Sequence, residues 1–367
     1  MDPRELFCPR LECPSRGQAG KGNIIGHGKK KRRYKCTVCN KTFVESACTA
    51  LYRLHKDPLL FFRVTALLAL GCPPQAASVV LDLDQRTVAA WLKRAGQQAK
   101  RVHQHRVVGQ ARVLGQVQAD EIRVKMQKSV AWMAMAIAVP CRLWLGGMIS
   151  ASPDGKLIGA LAALVRACAR LGPLLLCFDG FKSYVTCLQR AFRVALPSGG
   201  RPRLVPWSCL CLGQVVKQYE KGRVMGVLPR LVQGPKEPVE ALLFGARVIN
   251  TAYIERLNAT FRARLCALVR RGRSQLRQMP VLEKGMYLVG TFYNFCTPHQ
   301  SLRVECPDKP GGKWQQRTPA MAAGITEHCW SMAELMNFRV PPPRWQPPRK
   351  RGRRSKTMQA LVERWAT

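Results

Sequence analysis

Residues 113–125 read VLGQVQADEIRVK, and the chain continues as SVAWMAMAIAV (129–139) and CRLWLGGMI (141–149). All three segments are rich in Val, Ile, Leu, Trp or Met, which fit a pleated and largely buried surface. They predict consecutive strands. The first places Asp120 among apolar neighbours, where a carboxylate is costly unless it is paired or bound to metal. Farther on, LLLCFD (174–179) predicts another buried strand, ending in Asp179. KLIGALAALVRACARL (156–171) has helical spacing, with Arg166 and Arg170 one turn apart, and Lys182–Arg193 is expected to form the next helix. Residues 196–212 give no clear pattern, whereas QVVKQYEKGRVMGVLPRLV (214–232) reads as two strands around a Lys-Gly turn.

The clearest helix is 251–271. Ile254, Leu257, Phe261, Leu265 and Leu268 recur at intervals of three and four, giving one apolar stripe, and Asn250 or Thr251 can cap its first turn. Glu255, Asn258 and Arg262 fall on a second, polar stripe. If Asp120, Asp179 and Glu255 meet, their mutual repulsion calls for cations. Two hard cations about 4 Å apart can activate a water or a 3′-hydroxyl and stabilise the leaving oxygen of a phosphodiester displacement. Blander readings exist for two of these acids. Glu255 can pair with Arg256 or Arg262 at the surface, and Asp120 can be a strand-edge residue with Glu121 as the working carboxylate.

Upstream, Gly71–Ala99 reads GCPPQAASVVLDLDQRTVAAWLKRAGQQA. A short helix near Gln75–Leu81, a turn at Asp82–Asp84 and a second helix capped by Asp84 predict a helix-turn-helix or an ordinary helical hairpin. Val79, Val80, Leu83, Val88, Trp91 and Leu92 are expected to form its core. Gln85, Arg86 and Thr87 then start the recognition helix, where base edges are reached. Lys93, Arg94, Lys100 and Arg101 are expected to meet phosphate.

Nearer the start stand Cys8 and Cys13 (C-x4-C) and Cys36 and Cys39 (C-x2-C). Thiolates so spaced can close a tetrahedral zinc site, the alternative being four buried free thiols. Gly17, Gly20 and Gly22 suit the tight loops of such a module, and Tyr34 and Phe43 flank the second knuckle. A segment this poor in apolar residues needs metal to fold. The run Lys29–Arg33 is expected to touch phosphate.

Charge fits this picture. The 367 residues hold 60 Lys+Arg against 21 Asp+Glu, a net +39 that an anion must neutralise, and nucleic acid is the obvious polyanion. The 16 Cys accompany no export signal, which favours metal ligation or burial over disulfides. The longest apolar run, Val130–Ile149, is broken by Pro140 and Arg142, and neither half reaches the roughly 20 residues of a spanning helix, so no membrane partner is expected. The tail PPPRWQPPRKRGRRSK (341–356) is expected to be disordered until it meets DNA.

Several segments resemble DDE transposases of small bacterial insertion sequences, of the insertion-sequence-one type and its zinc-ribbon relatives. These are the ribbon CPSRGQAGKGNIIGHG…RRYKCTVCNKTF, TVAAWLKRA, ADE (119–121), FDGFKSY (178–184), QVVKQYEKGRV, YIERLNATFRARLCALVRRGRS and FYNFCTPHQSLR (292–303). The resemblance implies a zinc ribbon (1–48), a helix-turn-helix domain (55–108) and an RNase H-like α/β catalytic domain (112–305). The last would have a mixed sheet flanked by helices and an insertion at about 196–240, and a C-terminal region with a Pro-rich basic tail follows (306–367). Asp120 is then the first-strand aspartate, Asp179 the fourth-strand aspartate and Glu255 the helix glutamate, with Asn258 and Arg262 in support and Mg²⁺ or Mn²⁺ as cofactor beside the ribbon's Zn²⁺. Gln85, Arg86, Thr87, Lys93, Arg94 and Lys182 are the implied DNA contacts. The implied protein works in the bacterial cytoplasm on double-stranded DNA, at element ends and target, as a dimer or larger homo-oligomer. A regulator that binds DNA without cutting, or an RNase H-like nuclease without strand transfer, would share much of this pattern.

Overall fold

The computed structural model describes residues 2–28, 32–196, 200–220, 223–245, 248–269, 278–306, 314–348, 352 and 354–366. They divide into two compact units, one formed by Met1–Pro58 with Met336–Thr367 and the other by Leu59–Leu335.

The smaller unit begins with three short antiparallel strands, β1 (Ile24–Gly26), β2 (Arg33–Cys36) and β3 (Thr42–Val44). Its core is small: Leu6, Ile24, Tyr34, Phe43 and Ala47 surround Cys8, Cys13 and Cys36.

The larger unit opens with α1 (Pro58–Ala69), α2 (Pro74–Val80) and α3 (Gln85–His103). Asp84 caps α3 as expected, accepting from the Arg86 N–H at 2.7 Å, and Asp82 makes the turn at φ 47°. The core of this helical pair differs from expectation. Val88 and Trp91 are buried, with Trp91 edge-on to Phe61 of α1 at 5.4 Å, but Val79 and Val80 are 79% and 77% exposed. Short α2 instead turns its small residues Ala77 and Ser78 inward. The α3 helix does not stop at the end of this motif. Its second half buries Ala95, Gly96, Gln98, Ala99 and Val102 and runs along α8 (Met279–Cys296), where a Cβ on Gly96 would collide with the Lys284 carbonyl oxygen.

Next come β4 (Gly115–Lys125), β5 (Val130–Ala138) and β6 (Leu143–Ser150), then α4 (Gly155–Cys168), β7 (Leu174–Asp179) and α5 (Ser183–Ala191). A hairpin of β8 (Arg193–Leu196) and β9 (Arg203–Pro206) leads to β10 (Leu210–Glu220) and β11 (Arg223–Gln233). The helices α6 (Lys236–Leu242), α7 (Ala252–Arg264) and α8 (Met279–Cys296) follow. The remaining elements are β12 (His299–Glu305), β13 (Trp314–Arg317), α9 (Pro319–Ala322), α10 (Met332–Asn337) and α11 (Lys356–Trp365). Among the described residues there are thus eleven α-helices, and the main sheet is mixed and six-stranded in the order β11-β10-β7-β4-β5-β6. β4, β7 and β10 run parallel to their neighbours in the centre, while β5, β6 and β11 add antiparallel partners. Residues 210–233, expected to lie in an insertion, therefore supply two strands of this sheet. Leu210–Val215 pair with Leu174–Asp179, and this pairing buries the apolar half of β10.

Each face of the sheet carries helices. Ala119, Leu176 and Phe178 meet Ile158, Leu161 and Leu188 of α4 and α5. On the other face, Ile122, Val124, Met133 and Met135 pack against Ile254, Leu257 and Phe261 of α7 and Leu282 and Met286 of α8. The apolar stripe read from 251–271 is thus the buried side of α7, whose helix ends at Arg264; residues 270–277 lie outside the described set.

The C-terminal segment corrects an expectation. Residues 338–348 form no helix or strand, yet they lie against the N-terminal segment of the smaller unit. The Arg16 guanidinium donates to the Pro343 and Arg344 carbonyls at 2.7 and 3.1 Å, Arg339 donates to Glu45 O, and Gln18 donates to Trp365 O at 2.8 Å. An extended, proline-rich chain has no internal hydrogen bonds, so its carbonyls are available to such donors. Gly17, at φ 70°, lets this strap approach: a Cβ there would sit 2.6 Å from Pro342 O. Of the basic stretch, residues 349–351 and 353 lie outside the described set.

Candidate functional site

The smaller unit brings the four predicted cysteines together. Every pair among the Cys8, Cys13, Cys36 and Cys39 sulfurs lies within 4.8 Å, with 3.8 Å between Cys8 and Cys39 and 3.9 Å between Cys13 and Cys36. Such a cluster could hold a metal ion. Burial pushes the Cys8 and Cys13 thiols up. Burial acts on Cys36 too, but hydrogen bonds from Ser15 and from the Cys39 and Val38 backbone outweigh it and bring that thiol down to about 7. Asn23 backs this arrangement, donating to Ser15 Oγ at 2.9 Å. Ser15 and Asn23 escaped the sequence reading, because only their folded neighbours reveal them. Tyr34 and Phe43 stack on each other at 5.9 Å within the same core. In the Lys29–Arg33 run, Lys29–Lys31 are outside the described residues, and Arg32 pairs with Glu45 at 3.3 Å.

In the larger unit, β4 and β7 run parallel with Gln118 opposite Cys177, a register that carries Asp120 alongside Asp179 on one face. The same face receives α7. Gln118 makes the connection: its side-chain oxygen accepts from the Tyr253 and Ile254 N–H groups at 2.8 and 3.0 Å, and its amide donates to Asn250 Oδ1 at 3.1 Å. These N–H groups open α7 and would otherwise be orphaned. One turn on, buried Asn258 donates to Asp120 Oδ2 at 2.6 Å. On the other side, Gln214 of β10 donates to the Asp179 carbonyl at 3.1 Å and accepts from Arg230.

The electrostatics are those of crowded acids. Burial, then the charges of Asp179 and Glu121, push the Asp120 carboxyl up to about 7. Burial also raises Asp179; Lys217 pulls it back and Glu255 raises it further. One buried Asp179 oxygen, Oδ1, has no hydrogen-bond partner. Glu255, on the exposed side of α7, accepts from Thr251 Oγ1 at 3.2 Å and pairs with Lys217 Nζ at 3.4 Å. Among the described residues the cysteine cluster is the one group of three or more His, Cys, Asp or Glu whose ligand atoms all lie within 4.8 Å of one another. Asp179 thus feels Glu255 and Asp120 feels Asp179, without the three acids closing to that spacing, and the charge of Lys217 acts on all three.

Glu121 points through the opposite face, where it accepts from the buried Tyr184 hydroxyl at 2.7 Å. Burial raises both groups. Arg262 lines a cleft with Arg123 and Lys125 at the end of β4. In the sequence only their alternation with apolar Ile122 and Val124 marks those two basic residues, and it places them on the exposed side of the strand. Gln85 and Arg86 are exposed at the start of α3 with Thr87 half-buried, Lys93 is exposed and Arg94 half-buried farther along, and Lys182 is exposed at the N-cap of α5. Lys100, expected at phosphate, is engaged within the unit, 2.7 Å from Glu283 and over the Tyr287 ring.

No protein-family model matches the chain, and no curated protein matches it either. Among the described residues no helix is long and apolar enough to cross a membrane.

Proposed function

We propose that the chain is a DDE-type transposase of the bacterial insertion-sequence kind, cutting DNA at element ends and joining them to a target. The observation that carries this is the gathering of Asp120, Asp179 and Glu255 on one face of the sheet. The order along the chain agrees with it. Asp120 sits on the first strand of the main sheet, Asp179 ends the fourth, and Glu255 rides the helix that covers them, within the α/β layering expected of an RNase H-like domain.

The donors suit a hard divalent cation such as Mg²⁺: oxygen ligands from two adjacent strands, an unpartnered buried Asp179 oxygen, and a repulsion that a cation would relieve. Held by Asp120, Asp179 and Glu255, divalent cations would supply Lewis acidity for the attacking and leaving oxygens. Asn258 fixes the Asp120 carboxylate, and Gln118 fixes the helix that carries Glu255. Arg262, with Arg123 and Lys125, offers a positive cleft to the DNA backbone. Gln85, Arg86 and Thr87 lie at the start of α3, where a recognition helix reads base edges. The cysteine cluster is best suited to structural Zn²⁺, since four thiolates leave no open position.

The test is strand transfer in vitro, with paired element-end oligonucleotides and Mg²⁺. Wild type should cleave and join, whereas Asp120→Asn, Asp179→Asn and Glu255→Gln should each bind the ends and do neither. Full activity in any one of these variants removes that residue from the site. A protein that binds but never cuts is a regulator, and one that cuts without joining is a nuclease.

A further inference from the structure

The acidic face contains a cation of its own. Val215 of β10 lies opposite Asp179, the last residue of β7, so Lys217 extends from the same face two residues farther along. Its Nζ is 3.4 Å from Glu255 Oε1, and its charge acts on Asp179 and Asp120 as well. The strand that carries it is held in place: Gln214 is tied to the Asp179 carbonyl and to Arg230. Lysine and three acids thus converge where a divalent ion would otherwise be the natural counter-charge.

We propose that Lys217 is the resident counter-ion of this site, holding Glu255 in the metal-free protein and competing with a divalent cation for it. The proposal rests on the carboxylate site described above and concerns how that site is loaded. Among the described residues the ammonium, a point charge on a flexible stem, reaches Glu255 at bonding distance and does not bridge it to the aspartates. This accounts for the spacing of the acids: Glu255 is drawn to Lys217 rather than closed onto the two aspartates. Cation entry requires the ammonium to give up Glu255, and as a like charge it opposes that entry while it remains. The pair is itself half-exposed and adds little to stability, so its consequence is read in cation binding rather than in folding.

The experiment is Mn²⁺ binding by the full-length, DNA-free protein, followed by the paramagnetic resonance of free Mn²⁺. Lys217→Met should bind Mn²⁺ at least about tenfold more tightly than wild type, the floor set by removing a like charge about 6 Å from a divalent ion screened as in bulk water. Lys217→Arg, which keeps the charge, should bind as wild type does. Lys217→Gln repeats the test without the apolar side chain, and thermal melting checks that each variant is folded. Affinity that is unchanged or weaker in both neutral variants overturns the proposal. Asp120→Asn separates the two levels. If it abolishes binding while the neutral Lys217 variants show no gain, the carboxylate site stands and the Lys217 proposal fails. If it binds Mn²⁺ as wild type does, the site fails and the proposal with it.

Discussion

Asn258 donates its side-chain amide to Asp120 Oδ2 at 2.6 Å, a part-buried bond that fastens the helix carrying Glu255 to the strand carrying the first aspartate. A hydrogen bond to a charged group contributes about 1.5–3 kcal/mol. Asn258→Ala should therefore lower unfolding free energy by about that amount in urea titrations and reduce cleavage sharply. Asn258→Asp should do more damage to metal-free stability at pH 8 than at pH 5, because it sets a second carboxylate against Asp120.

Gln118 is the second fastening. Gln118→Ala leaves the Tyr253 and Ile254 N–H groups without their acceptor, at a cost of about 1–3 kcal/mol. Hydrogen exchange should report it locally, with faster exchange at the start of α7 and little change in β5 or β6. Uniform acceleration across the larger unit would mean that Gln118 supports the whole core rather than this helix.

The raised Asp120 carboxyl sets a pH dependence. Its folded pKa, about 7, stands above the unfolded value of 3.8, so between those values the folded state binds more protons and stability falls as pH rises. The penalty is complete above about pH 7 and disappears as pH drops towards 4. Asp120→Asn should accordingly be more stable than metal-free wild type at pH 8, on the order of a few kcal/mol, and lose that advantage by pH 4. Differential scanning calorimetry across this range checks the sign. A variant less stable than wild type at pH 8 would contradict it.

Metal removal should affect both ends of the chain together, because the cysteine cluster and the C-terminal strap belong to one compact unit. Wild type should carry one zinc per chain by atomic emission. Cys36→Ala, or treatment with a strong chelator, should release it and make residues 1–58 and 336–367 jointly sensitive to protease. Gly17→Ala should loosen the strap while zinc is retained, since its Cβ collides with Pro342 O rather than with the cluster. Protease sensitivity confined to the first 58 residues would argue against a shared module.

Where the physics is local, the sequence was readable. The strands around Asp120, the Asp84 cap, the apolar stripe of α7 and the cysteine spacing each depend on residues close in the chain, and all appear near their expected positions. The misses are long-range. Residues 210–220 gave no sign of pairing with β7, because a parallel partner is chosen by the fold and not by neighbours in sequence. Val79 and Val80 have the residue type of a core but face solvent, because α2 is short and buries Ala77 and Ser78 instead. The C-terminal strap has the composition of a disordered tail, yet its carbonyls find Arg16, a residue more than three hundred positions away. Gln118 and Lys217 were hidden for the same reason. Their roles exist only once β4, β10 and α7 come together.

The most direct measurement is anomalous diffraction from crystals of the full-length protein soaked in Mn²⁺. An ion bonded to oxygens of both Asp120 and Asp179, with Glu255 drawn in from Lys217, is the predicted result. A saturating soak that leaves this pair of aspartates without manganese, their side chains unmoved and Glu255 still on Lys217, would contradict the account.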